Sequence, residues 1–167
     1  MLRYLDVQNI LDKNDLILQE SGCVGSENER GNTYMKKIGI VTDSHSSISQ
    51  EEAEKLGIFV LPMPFYIDGE CFYESVTLSR ELFFEKLAAG ADITTSQPSP
   101  TAVMEIWDKA LEQFEKILYM PISSGLSGSY ETAMMLAKDE AYEGRVLVVD
   151  DGQVAAPLHQ MVLDTLD

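Results

Sequence analysis

Residues 117–139, ILYMPISSGLSGSYETAMMLAKD, decide how this chain is read. Ile117 to Ile122 is apolar apart from the Tyr119 phenol, which reads as a buried strand. Gly and Ser residues interrupt it, and Ala133, Met134 and Ala137 then return at helical spacing, so the stretch is strand, loop, helix. The loop gathers Ser123, Ser124, Gly125, Ser127, Gly128 and Ser129 where the helix begins. A helix start has unpaired N–H donors and the positive end of the macrodipole, which suits it to hold an anionic oxygen. The same residues also suit a plain turn in which Ser127 caps its own helix.

The flanking sequence repeats this alternation. Lys37 to Thr42 (KIGIVT) is a β-rich run that stops at Asp43, Ser44, His45, Ser46 and Ser47, the first half of a βα unit. Ser49 and Glu52 have capping-box spacing, and Gly57 closes the short helix. Ile58 to Leu61 is a second strand, cut short by Pro62 and Pro64, because proline removes a ladder donor. Phe65 to Tyr73 predicts a hairpin turning at Asp68-Gly69. Thr77 or Ser79 can cap a helix to about Ala89, with Leu78, Leu82, Phe83 and Leu87 on or near one face. Residues 91–101, ADITTSQPSPT, read as a polar loop. Ser99 is placed as N-cap and Pro100 at N1 of a helix that buries Val103, Ile106, Trp107, Ala110, Leu111 and Phe114. Arg145 to Val149 is a nearly continuous aliphatic strand, and Pro157 to Leu166 has helical spacing.

Strands near 37, 58, 117 and 145 with helices between them predict an α/β, three-layer domain: a mostly parallel sheet of about four strands with a hairpin excursion. Asp43 to Ser47, Thr94 to Gln97 and Ser123 to Ser129 then reach one rim, where hydroxyls suit an oxyanion or a carboxylate. Residues 1–34 read as an extension or linker of uncertain structure, 35–155 as the α/β domain, and 156–167 as a C-terminal helix or the start of a truncated second domain.

The chain has 167 residues, with 12 Lys and Arg against 28 Asp and Glu, a formal charge of −16. That balance works against a nucleic-acid groove or an anionic membrane surface. Cys23 and Cys71 have neither disulfide-scaffold nor metal-type spacing. No basic leader with an apolar run opens the chain and no stretch is long enough to span a membrane, so a cytoplasmic protein without stable membrane insertion is expected.

Catalytic patterns are sparse. Gly125-Leu126-Ser127-Gly128 begins like a nucleophile elbow, but Ser129 stands where the second glycine belongs. A serine-dependent hydrolase or acyltransferase using Ser127 needs a base, and the only histidines are His45 and His159. Asp-Ser-His-Ser-Ser replaces the dinucleotide-binding glycines after the first strand, and no P-loop Gly-Lys-Ser or Gly-Lys-Thr occurs. Carboxylates at strand ends, Asp43, Asp68, Asp150 and Asp151, could hold magnesium, but no metal, cofactor or catalytic residue is expected.

Ile40-Val41-Thr42-Asp43-Ser44, Val60-Leu61-Pro62, the Asp68-Gly69 hairpin, Thr95-Ser96-Gln97-Pro98-Ser99 and residues 122–130 (ISSGLSGSY) together resemble the DegV family of bacterial fatty-acid-binding proteins. The resemblance covers roughly residues 37–155 in motif order. It implies a binding protein without turnover of its own, whose ligand is a long-chain fatty acid held at its carboxylate by hydroxyls. In some members that carboxylate is presented to a fatty acid kinase. Carried onto this chain, the resemblance puts Thr95 and Ser96 beside the carboxylate, Ser127 and the Gly128 backbone opposite them, and Asp43 and Ser44 on the same rim. A full family member continues into a second domain. Self-association through the face that domain would cover is therefore expected, and a ligand-free regulatory or structural module is the alternative.

Overall fold

The computed structural model describes residues 36–73 and 76–166; the extension and linker read in 1–34 lie outside the described residues. In chain order the elements are β1 (Lys36–Asp43), a 3-10 turn (Ser44–Ser46), α1 (Gln50–Leu56), β2 (Phe59–Leu61), β3 (Pro64–Ile67), β4 (Glu70–Tyr73) and α2 (Arg80–Ala88). They continue with β5 (Ile93–Thr95), α3 (Pro100–Leu111), β6 (Phe114–Met120), α4 (Ser129–Leu136), β7 (Val146–Val148) and α5 (Ala156–Leu166).

Four strands form a sheet ordered β2-β1-β6-β7, and every pairing in it is parallel. The register sets Val41 against Phe59 on one side and Tyr119 on the other, and Leu118 against Leu147. Successive side chains of a strand point to opposite faces, so each of these strands feeds two cores. Val41, Leu61, Ile117, Tyr119, Val146 and Val148 pack with Val103, Trp107, Ala110 and Leu111 of α3 and Ala133 of α4. Ile40, Val60, Leu118, Met120 and Val149 pack with Ala53 of α1 and with Leu158 and Val162 of α5. Helices on both faces make the expected three-layer α/β domain, and burial on both sides explains why the strands are nearly continuous apolar runs.

The helix starts follow their local chemistry. Ser49, Ser79 and Ser99 accept hydrogen bonds from the N–H groups of Glu52, Leu82 and Ala102, and Pro100 stands in the first turn of α3. Asp68 and Gly69 have φ of 51° and 83°, the left-handed pair that a tight two-residue hairpin requires.

Three details depart from the sequence reading. Ile93–Thr95 is not loop but strand, pairing antiparallel with β3 in a second sheet ordered β4-β3-β5. Phe114 is buried in the core shared with α3 but belongs to β6, since the helix ends at Leu111. On α2, Leu82, Phe84 and Leu87 are exposed while Phe83 packs edge-on against Phe65 of β3, so no single apolar face of that helix is covered.

Candidate functional site

β1 and β6 are neighbours at the centre of the parallel sheet, yet the chain leaves β1 for β2 on one side and β6 for β7 on the other. Their carboxyl ends form a topological switch point, the crevice where ligands of open α/β sheets bind. Asp43 sits in that crevice with no exposed surface. Its Oδ1 accepts from the His45 N–H at 2.9 Å and its Oδ2 from the Ile122 N–H at 2.7 Å, tying the loop after β1 to the loop after β6. Both oxygens are thus engaged by the backbone, and Asp43 reaches the rim through its neighbours. The His45 Nδ1 lies 3.4 Å from Asp43 Oδ1. Next to it, Ser44 Oγ accepts from the Met63 N–H at 3.1 Å, which fixes the entry to β3.

Ser44 and Thr95 line one groove of about 550 Å³ between the first polar loop, the second sheet and α2. Hydroxyls of Ser44, Ser47, Ser49 and Thr95 share its wall with Met63, Phe65, Leu78, Phe83 and Ile93. No Lys, Arg, Asp or Glu lines it among the described residues, and His45 is the one lining side chain able to carry charge.

The second and third polar loops meet through Gln97. The Thr132 hydroxyl donates to Gln97 Oε1 at 3.5 Å, and a Cβ placed on Gly128 would stand 2.9 Å from the same oxygen. Glycine at 128 is therefore what lets Gln97 lie across the start of α4. Ser96 is exposed; its hydroxyl donates to the Gln97 carbonyl at 3.0 Å and its N–H to the Pro64 carbonyl at 3.4 Å.

At the start of α4 the cap position belongs to Gly128, with no side-chain cap, so Ser127 does not cap the helix. Instead Ser127 Oγ accepts from the Ser129 N–H at 3.2 Å and lies 2.8 Å from Ser129 Oγ. Burial decides which hydroxyl donates in the second contact. Ser129 is 3% exposed and its hydroxyl has no other partner among the described residues, so a proton turned away from Ser127 would be stranded. Ser129 therefore donates, Ser127 Oγ accepts twice, and the Ser127 proton points outward as a donor. The first backbone bond of α4 runs from the Thr132 N–H to the Gly128 carbonyl at 3.1 Å, after the unpaired N–H groups that every helix start presents.

The loop after β6 is braced by Asp150, which accepts from the hydroxyl and N–H of Ser124 and from the Gly152 N–H. Burial alone would raise the Asp150 carboxyl, but these hydrogen bonds hold it below the usual carboxylate range. Asp151 moves the other way: burial, helped by the nearby Asp150 and Asp43 charges, raises it despite the Gln153 N–H that it accepts at 2.8 Å. No group of three or more His, Cys, Asp or Glu is arranged to hold a metal among the described residues. The second histidine, His159, lies 3.3 Å from Glu52. No helix among the described residues is long and apolar enough to cross a membrane.

A family model described as "Uncharacterised protein, DegV family" matches residues 37–167. The chain belongs to the DegV family. A DegV domain-containing protein from Caldanaerobacter subterraneus is 36% identical over 116 residues, 70% of this chain and 41% of that protein. A DegV domain-containing 15.5 kDa protein from Staphylococcus aureus is 31% identical over 121 residues, 72% of this chain and 85% of that protein. The solved structure of a fatty-acid-binding DegV family protein from Thermus thermophilus is 33% identical with a TM-score of 0.70, covering 78% of this chain and 46% of that one. Against the first four curated relatives, the DegV chain described here spans 41 to 46% of their length.

Sequence reasoning gathered the three loops but missed who touches whom in this DegV domain. Gln97 was one polar residue among four, and Ser129 one serine among several. The Ser-x-Ser spacing of Ser127 and Ser129 was the available signal for a paired hydroxyl.

Proposed function

We propose that this chain binds a fatty acid, holding the carboxylate at the hydroxyl rim and the acyl chain along the groove beneath. The carrying observation is the groove itself, which sets the Ser44 and Thr95 hydroxyls against a wall of Met63, Phe65, Leu78, Phe83 and Ile93. Thr95 and Ser96 meet the carboxylate from one side, and the outward Ser127 hydroxyl and the Gly128 backbone from the other, with Gln97 between them. Ser44 completes the rim, and Asp43 contributes by fixing the loops.

A hydrogen bond to a charged group contributes about 1.5–3 kcal/mol. Each buried methylene adds about 0.8 kcal/mol, so the chain supplies most of the affinity. Hydroxyls suit this task because they donate without adding a fixed charge that would itself need compensation. In this reading the protein turns nothing over; it works in the cytoplasm and offers the carboxylate to a fatty acid kinase. The exposed Val76, Leu82, Phe84 and Leu87 support self-association beside the groove, and light scattering that gives a monomer across a wide concentration range would dismiss that part.

The test is denaturing mass spectrometry of an organic extract of the purified chain beside a Thr95→Ala, Ser127→Ala double variant. A stoichiometric fatty acid in the first, lost from a folded second, is the expected result. No lipid in the wild-type extract, with no uptake of added fatty acid, withdraws the proposal for this chain.

A further inference from the structure

We infer that Gln97 and Gly128 form a spacer that sets the distance between the two groups of donors facing the ligand carboxylate. This role rests on the fatty-acid reading above and makes Gln97 a positioning residue for the head group. In that reading Thr95 and Ser96 come from one loop, and Ser127 and Gly128 from another. Among the described residues a single hydrogen bond joins residues 93–99 to residues 121–132, from the Thr132 hydroxyl to Gln97 Oε1 at 3.5 Å.

Each loop is anchored on its far side. The Ser96 N–H donates to the Pro64 carbonyl at 3.4 Å, and Ser99 caps α3. The loop after β6 is tied to Asp43 by the Ile122 N–H and to Asp150 by the Ser124 N–H. Gln97 spans the gap left between them. A carboxylate that takes hydrogen bonds from both sides needs its donors held to within about 0.5 Å, by side chains that are themselves fixed.

The glycine at 128 is explained by this contact and not by its backbone. Its φ of −73° and ψ of 10° are open to other residues, so no left-handed turn calls for glycine. The position is also the N-cap of α4, where Ser, Thr, Asp or Asn would supply a side-chain cap, and none is made. A Cβ there would stand 2.9 Å from Gln97 Oε1. Gly128 and Thr132 are one helical turn apart, so both contacts hold the amide oxygen against the same face of α4. Gln97 is exposed and its amide end can swing away from an added methyl, so the contact matters little to the fold. Its effect falls on the spacing of the donors.

The experiment is calorimetric titration of the full chain and of Gln97→Ala, Gly128→Ala and the double variant with decanoate and, as the uncharged probe, decanol. Loss of one hydrogen bond to a charged group corresponds to about tenfold in affinity. Each single variant should therefore bind decanoate about tenfold more weakly, and the double variant no more weakly than either, because both changes remove the same spacer. Decanol affinity should stay at the wild-type value in all three. The urea midpoint of Gly128→Ala should equal or exceed that of the wild type, since alanine at this φ narrows the unfolded ensemble. Losses that multiply in the double variant, or a Gln97→Ala protein that binds decanoate as the wild type does, overturn the spacer and leave the lipid reading standing. A loss shared equally by decanol, or a lowered urea midpoint in Gly128→Ala, overturns it in the same way. Binding of neither probe by the wild type overturns the lipid reading and this inference together.

Discussion

Replacing Asp43 by Asn separates the structural work of this carboxylate from any contact with a ligand. The native side chain accepts the His45 N–H at 2.9 Å on one oxygen and the Ile122 N–H at 2.7 Å on the other, in a site with no exposed surface. An amide offers one acceptor oxygen, so whichever way it turns, its NH₂ group faces a backbone N–H. Losing a hydrogen bond to a charged group costs about 1.5–3 kcal/mol, and stranding a buried N–H costs about 1–3 kcal/mol more. With partial relaxation of the loop the expected loss is about 3 kcal/mol, a large part of the roughly 5–15 kcal/mol that a domain commonly has. Urea unfolding followed by fluorescence measures it directly, because Trp107 is the only tryptophan of the chain and fully buried. The midpoint should fall with the slope unchanged. Ser44→Ala, which removes one neutral acceptor from the Met63 N–H, should cost about 1 kcal/mol in the same assay. An Asp43→Asn protein within about 0.5 kcal/mol of wild type, the range of ordinary surface changes, would refute the argument that Asp43 stitches the switch point.

Three further outcomes follow from buried groups elsewhere. The Tyr119 hydroxyl is buried without a partner among the described residues, so Tyr119→Phe should be neutral or raise stability by about 1 kcal/mol, read by the same urea titration. Gly39→Ala should cost about 1–3 kcal/mol, because its Cβ would stand 2.6 Å from the buried Phe114 ring; Phe114→Leu in the same chain should recover part of the loss. Asp150 and Asp151 should act oppositely in thermal unfolding against pH. A carboxyl held below its unfolded value stabilises above the unfolded range and loses that contribution as pH falls, so Asp150→Asn should lower Tm at neutral pH and approach wild type in acid. Asp151 is raised in the fold, so its contribution is fully present in acid and lost as pH rises; Asp151→Asn should raise Tm at neutral pH, and a parallel fall in both variants would contradict this assignment.

What could be read without a structure was whatever depends on neighbours in sequence. The four parallel strands were legible because burial on both faces demands continuous apolar runs, and the Ser49 and Ser99 caps because a cap needs only its own first turn. The Asp68-Gly69 turn was legible for the same reason. β5 was not: Ile93, Thr94 and Thr95 become a strand only because Phe65, Tyr66 and Ile67 lie alongside, and nothing within residues 91–101 announces that partner. Phe114 keeps the period of α3 and reaches the same core, so its burial was predictable while its element was not.

The site divides along the same line. That hydroxyl-rich loops end several parallel strands was visible from composition, and parallel topology alone brings such loops to one edge. Which polar residue faces a ligand and which braces the fold depends on pairings 78 or 79 positions apart, such as Thr42 with the Met120 carbonyl and Asp43 with the Ile122 N–H. Asp43 and Ser44 are adjacent, yet the first is enclosed at the switch point and the second lines the groove. Ser127 and Ser129 differ in the same way, since the buried hydroxyl must spend its proton on the partly exposed one. In the serine pair the enclosed member fixes what its neighbour can offer, since Ser129 leaves Ser127 as a donor, and the enclosed Asp43 likewise holds the backbone N–H of His45. A groove that carries its donors on braced loops needs little rearrangement to receive an acceptor, and the cost of ordering those donors is met during folding rather than on binding.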